Sequence, residues 1–225
     1  MSEIARVRAS PLAALEAIAV MASNARDCQA RVARFLPVRD AHPLLSGQDY
    51  AHKTASLQVG SLGVAVGLGS SFRFAVDNHE LVTFLLSSGG RTRVHLGGAT
   101  YGNSPERPGL FLPGEGYHCE ISEANGFVVT VRPERLASAA LAMAQEIGAD
   151  SVDLTVLQKP LEVGQESGRS AHLLALLRNT LLLLDGLHAS SALELQAKAL
   201  DDLICRQIAG LLIPQLLRSK RAADA

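Results

Sequence analysis

Between about Thr54 and Arg132 the chain never sustains a helical period. It is broken into short β-rich runs, "SLQVG", "LGVAVGL", "FRFAV", "ELVTFLLS", "RTRVHL", "GLFLP", "YHCEI" and "GFVVTVR". Polar or glycine-rich stretches separate them, among them "GLGSS", "VDNHE", "SSGG", "YGNSPERP" and "EANG". Many short strands joined by tight turns demand an antiparallel sandwich or barrel, because a parallel sheet would need helical crossovers between them. Alternation then sorts the side chains by face. Thr92, Val94 and Leu96 oppose Arg91, Arg93 and His95; Tyr117, Cys119 and Ile121 oppose His118 and Glu120; Phe127, Val129 and Val131 oppose Val128, Thr130 and Arg132.

The flanks change period. Pro11, Leu12, Leu15, Ile18 and Ala22 predict a helix within a helical zone reaching about Phe35, and "LPVRDAHPLLSGQDY" reads as a loop. Pro133 opens a helix that stops at Gly148, and "VDLTVLQ" is expected as a strand. Two helices follow a Gly/Ser linker: His172 to Asp185 with Gly186 as C-cap, then Ala192 to Ile213 before Pro214. The organisation expected is an N-terminal helix and arm (1–50), a β-barrel (51–160) and a C-terminal helical segment (161–225).

Charge and cysteine usage narrow the function classes. A net charge of −1 with scattered basic residues argues against a large nucleic-acid footprint, and the Arg218-Ser219-Lys220-Arg221 run reads as a solvated end. Cys28, Cys119 and Cys205 are far apart and form no metal-spaced cluster, which fits buried thiols of a cytoplasmic protein. The leucine-rich "HLLALLRNTLLLLDG" is too short for a membrane span and carries Arg178 and Asn179, so no membrane segment is expected. There is no phosphate-binding glycine loop, no nucleophile elbow and no H-x-H pair; His79, His95 and His118 stand alone. No cofactor, metal or catalytic residue is expected.

The segment from "FRFAV" through "LPGEGYH" to "VRPERLASAALAMA" resembles the cupin-like sensor domain of AraC/XylS-type transcription regulators. "ALELQAKALDDLICRQIAGLLIPQLL" is similar to the paired helices that follow the barrel in that family. The resemblance implies a cupin-like jelly-roll barrel followed by a helical pair, effector sensing and dimerisation. It also implies that DNA is contacted only through a separate C-terminal region with helix-turn-helix motifs; the "RSKRAADA" after Leu217 cannot form one. The inward faces offer Phe74, Phe84, Tyr117, Cys119 and Phe127 as lining for an apolar or aromatic small-molecule effector, or as plain core. Leu193, Ala197, Leu200, Ile204, Ile208 and Leu211 form one stripe, expected at a homodimer interface or, alternatively, within an internal helical layer with no partner. Leu195, Ala199, Leu203 and Leu212 make a second apolar edge, with Asp201, Asp202 and Arg206 as polar positions between the two. Two other readings stay open from the residues alone: a free-standing cupin-like enzyme (an isomerase or metal-dependent oxygenase) and a purely structural assembly module.

Overall fold

A computed structural model describes residues 2–44, 49–149, 151–165 and 168–217. Its strands are β1 (Val20–Ala22), β2 (Val38–Pro43), β3 (His52–Val59), β4 (Leu62–Gly69), β5 (Phe72–Val76), β6 (Val82–Leu96), β7 (Ala99–Asn103), β8 (Gly109–Leu112), β9 (Tyr117–Val131) and β10 (Leu161–Val163). The helices are α1 (Glu3–Ala9), α2 (Ala25–Val32), α3 (Pro133–Ile147), α4 (Gly168–Ala189) and α5 (Leu193–Leu212).

All strand pairings are antiparallel, and the long β6/β9 pair runs through the whole barrel. Its one half carries β4, β3 and β1 on one side and β8 and β10 on the other. Its other half carries β5 and β2 on one side and β7 on the other. Between the halves the register slips twice, at Ser87/Gly89 and at Gly89/Arg91. Gly90 sits there at φ 66°, with the backbone of Glu123 where a side chain would stand. Extra residues on a strand bend it and increase its twist, and this bulge folds one ladder into two facing sheets.

"SSGG" and "EANG", read from sequence as turns, are therefore mid-strand bends. Glycine relaxes the backbone without ending the ladder, and a local pattern cannot tell these outcomes apart. "YGNSPERP" likewise overlaps β7, which closes on β6 through Gly97 and Gly98 at φ 58° and 79°. Strand β2 occupies the segment expected as a loop, paired with β5 at the sheet edge. "VDLTVLQ" is not a strand: Thr155–Gln158 is a short 3-10 turn, and the strand is the next segment, β10.

The N-terminal zone departs furthest. Helix α1 ends at Ala9, and the residues expected on one helical stripe are divided among a loop, a 3-10 turn at Glu16–Ile18 and β1. Leu12 and Leu15 are buried all the same, Leu15 with a left-handed backbone at φ 61°. Their apolar spacing reflects a packed arm rather than a helix. Asn24 caps α2 by accepting from the Asp27 amide at 2.8 Å.

Helix α3 begins at Pro133 and ends at left-handed Gly148, as the sequence predicts. Helix α4 is longer than expected: it starts at Gly168 and runs through Gly186 to Ala189, so Gly186 is interior and not a cap. One continuous apolar core joins the arm (Leu12, Leu15), one sheet face (Val64, Phe84, Val129) and the helices (Leu136, Leu177, Ile204). A second cluster, with Leu36, Val76, Val94, Leu110 and Tyr117, fills the other half of the barrel.

One buried carboxylate ties barrel and helices together. Asp201 accepts from the Ser61 amide and hydroxyl, both at 2.6 Å, and from Arg135 Nε at 2.8 Å. Gly60 lets the β3–β4 turn approach, since a β-carbon there would stand 2.7 Å from Asp201 Oδ2. Asp201 was expected as a polar position on the helix; in the fold it is 5% exposed and clamps three elements. Asp201→Ala should cost about 3 kcal/mol, because it strands Arg135 and the Ser61 amide. Urea denaturation measures this, with Asp202→Ala, on the more exposed neighbour, costing much less.

Candidate functional site

A cavity of about 110 Å³ lies at the bend, where the two halves of the barrel diverge. Ala65, Val66 and Gly67 of β4, Leu85 and Leu86 of β6, and Gly126, Phe127 and Val128 of β9 form one wall. Phe72, Phe74, Tyr117, Cys119 and Ile121 form another, and Val32, Phe35 and Leu36 close over them from the end of α2. The polar lining comes from His52, Thr54, Ser87, Thr92, Asn103 and Asn125. Among the described residues no Asp, Glu, Lys or Arg borders it.

Of the residues expected to line a pocket, Phe74, Tyr117, Cys119 and Phe127 do so. Phe84 does not. It pairs with Val129 in the ladder and is buried in the core between sheet and helices, its ring close to Gly109. Alternation assigns Phe84 correctly to the face of Phe127, two pairs further along. Only the bend brings Phe127 to the cavity and leaves Phe84 beneath the helical layer.

The sequence reading missed His52 and Thr54, which share a face of β3 two residues apart. His52 is buried; its Nδ1 lies 2.7 Å from Thr54 Oγ1, and its ring packs edge-on against Phe72. Burial lowers its pKa to about 4, so the imidazole is neutral at physiological pH. The signal was available: β3 begins at His52, and a His-x-Thr pair starting an apolar strand is an inward polar couple. Burial also raises the thiol pKa values, Cys28 to about 11, Cys205 to about 12 and Cys119 higher still, so none is an activated nucleophile. His95 reaches Thr100 at 2.9 Å on the exposed face, and His79 Nδ1 accepts from the Leu81 amide at 3.2 Å. Among the described residues no three His, Cys, Asp or Glu side chains gather as metal ligands.

Two connections link the cavity to other layers. Arg178 of α4 donates from Nη2 to the carbonyl of cavity-lining Ser87 at 2.8 Å. Cavity-lining Asn125 accepts from the Ala13 amide at 3.2 Å and donates to the Pro11 carbonyl, and the Leu15 amide of the same arm donates to Asp185 of α4. Buried Lys53 holds the arm from below, donating to Glu16 at 2.7 Å and to the Ser10 carbonyl at 2.8 Å. The Leu12 amide and then Lys53 hold the Glu16 carboxyl below its ordinary range.

The stripe expected at a dimer interface mostly faces inward. Leu200, Ile204, Ile208 and Leu211 are buried within the single chain, and Leu193 and Ala197 are half-buried. The four buried positions are taken up by packing within the chain, while Leu193 and Ala197 keep part of their surface outside. Leu212 of the supposed second edge is buried too, whereas Leu195 (85% exposed), Ala199 and Leu203 remain outside. The larger exposed apolar face belongs to α4, with Leu176, Leu182 and Leu183, the last 58% exposed. No helix among the described residues is long and apolar enough to cross a membrane. The Arg218–Arg221 run lies outside the described residues.

An antiparallel jelly-roll with a cavity at its bend and a helical layer on one sheet is the class that this geometry defines. The arrangement is similar to the crystal structure of the AraC-like transcriptional activator CuxR, with a TM-score of 0.58 and 15% identity. The match covers 86% of this chain and 69% of that one. The chain thus shares its fold with that activator, an antiparallel barrel followed by a helical layer. The Schizosaccharomyces pombe Cnp3 cupin domain matches at a TM-score of 0.31 and 14% identity, over 44% of this chain and 73% of that one. Rru_A2000 from Rhodospirillum rubrum, a cupin-2 domain, matches at 0.32 and 15%, over 51% and 69%. No family model matches the sequence, and no curated protein does.

The neutral state of His52 makes stability fall on acidification. The unfolded chain binds a proton at this ring below about 6.5 that the folded chain refuses until about 4, so stability drops as pH falls through that window. The depressed Glu16 carboxyl adds loss in the same direction, as pH falls from its ordinary range towards its lowered folded value. His52→Gln should flatten the stability–pH curve between about 4 and 6.5, as read by urea midpoints at a series of pH values.

Proposed function

We propose that this chain is the effector-sensing and dimerisation module of an AraC-type transcriptional regulator, acting in the cytoplasm, with DNA read by a region outside it. The observation that carries the reading is the direct link between cavity and bare helix. Ser87 borders the cavity and takes a hydrogen bond from Arg178, on the helix whose outer face exposes Leu176, Leu182 and Leu183. The fold shared with an AraC-like activator supports it. A small apolar or aromatic effector would fill the cavity, and it shifts the helix only if it binds one arrangement of Ser87 and Arg178 better than another. Three free cysteines, all buried, accord with a reducing compartment.

The occupant proposed for the α4 face is a second copy of the chain. His172, Ala175, Leu176, Asn179, Leu182, Leu183 and Gly186 are all exposed and recur at spacings of three and four, a coiled-coil seam. Asn179 lies at the middle of the helix. Laid antiparallel on its copy, this face pairs Leu176 with Leu182 across a two-fold axis and sets Asn179 against itself. A polar residue at that position fixes register, a role no internal contact requires of it.

Sedimentation velocity tests the interface. The chain should sediment as a dimer at micromolar concentration, and Leu183→Glu should weaken association more than about thirtyfold. Leu200→Ala should lower stability by roughly 2–5 kcal/mol through its lost core packing and leave self-association unchanged.

A further inference from the structure

His52 brings a ring nitrogen without a hydrogen-bond partner to the cavity's apolar walls, alongside the Thr92 and Tyr117 hydroxyls. His52 Nδ1 is taken by Thr54, while Nε2 has no hydrogen-bond partner among the described residues. The Cε1–Nε2 edge lies over Gly67, 3.4 Å from where a β-carbon would stand, and Gly67 itself borders the cavity. A β-carbon at Gly67 would lie in contact with this edge of the ring. With no acidic or basic side chain among the described lining residues, an ionised ligand would lose its hydration and meet no counter-charge. A sugar would bring several hydroxyls to walls built of Val66, Phe74, Leu86 and Phe127. The volume of about 110 Å³ compares with the roughly 150 Å³ of an apolar cavity that accepts benzene. That is room for a single ring.

We infer that the cavity binds an uncharged, ring-sized molecule carrying a hydroxyl, and that His52 Nε2 is the group that recognises that hydroxyl. A hydroxyl suits either tautomer. If the Thr54 hydroxyl donates to Nδ1, Nε2 carries the proton and donates to the ligand oxygen; if Nδ1 donates to Thr54, Nε2 accepts from the ligand hydroxyl. The inference rests on the sensor reading above and names the chemical class of its effector.

Calorimetric titration of the whole chain with phenol, toluene and benzoate separates the parts. Phenol should bind and benzoate should not at concentrations where phenol saturates. His52→Leu should weaken phenol about tenfold and leave toluene within about twofold; Thr54→Val, which frees Nδ1 but keeps the ring, should change phenol affinity less. Should His52→Leu fail to fold, His52→Gln serves, with the phenol-to-toluene ratio as readout. An unchanged ratio, or benzoate binding tightest, overturns the class and the role of His52 while leaving an effector cavity standing. If none of the three binds the folded protein, the inference falls together with the sensor reading.

Discussion

The β6/β9 ladder is the element on which the rest depends. It is the only pairing shared by both halves of the barrel among the described residues, and its bend at Ser87–Arg91 decides which side chains face each other. A flat ladder of this length would present one apolar face along its whole extent. Bent, it turns Tyr117 and Cys119 into one wall and Phe127 into another, with the cavity in the angle. Ser87, at the start of the bulge, also gives its carbonyl to Arg178 of α4. Curvature, cavity and helix attachment therefore meet at one place.

The helical layer depends on a different device. Helix α5 carries a carboxylate into the core at Asp201, where the Ser61 amide, the Ser61 hydroxyl and Arg135 satisfy it. An unpaired charge there would be intolerable, so the position of α5 on the barrel is held by polar complementarity as well as by Ile204 and Ile208. Buried Gln207 donates to Thr180 at 3.0 Å and fixes α4 against α5 in the same way. With α5 held inward by these contacts, α4 is left to display the outer leucines. This explains why the most regular apolar stripe of the sequence is internal.

Much of the architecture was legible. Alternation in "RTRVHL" and "YHCEI" assigned the inward faces as the fold has them, whereas in "GFVVTVR" Thr130 on the opposite face is buried as well; Pro133 and Gly148 bounded α3. The cavity was half legible: Phe74, Tyr117, Cys119 and Phe127 border it, Phe84 does not, and His52 and Thr54 were overlooked. The N-terminal arm was misread because Leu12 and Leu15 are spaced like a helix but buried by long-range contacts, through Asn125, Lys53 and Asp185. Local spacing cannot report a partner more than a hundred residues away.

The sequence by itself determined the strand-rich middle, the helical end and the side of each strand that goes inward. Those follow from a residue's own neighbours along the chain and the period of two or 3.6 that they obey. Only the tertiary structure decided that two glycine-rich breaks are bends within continuous strands, and that Asp201 is a buried clamp. It also decided that α4 carries the larger bare face, because each of these outcomes depends on which distant surface a segment meets.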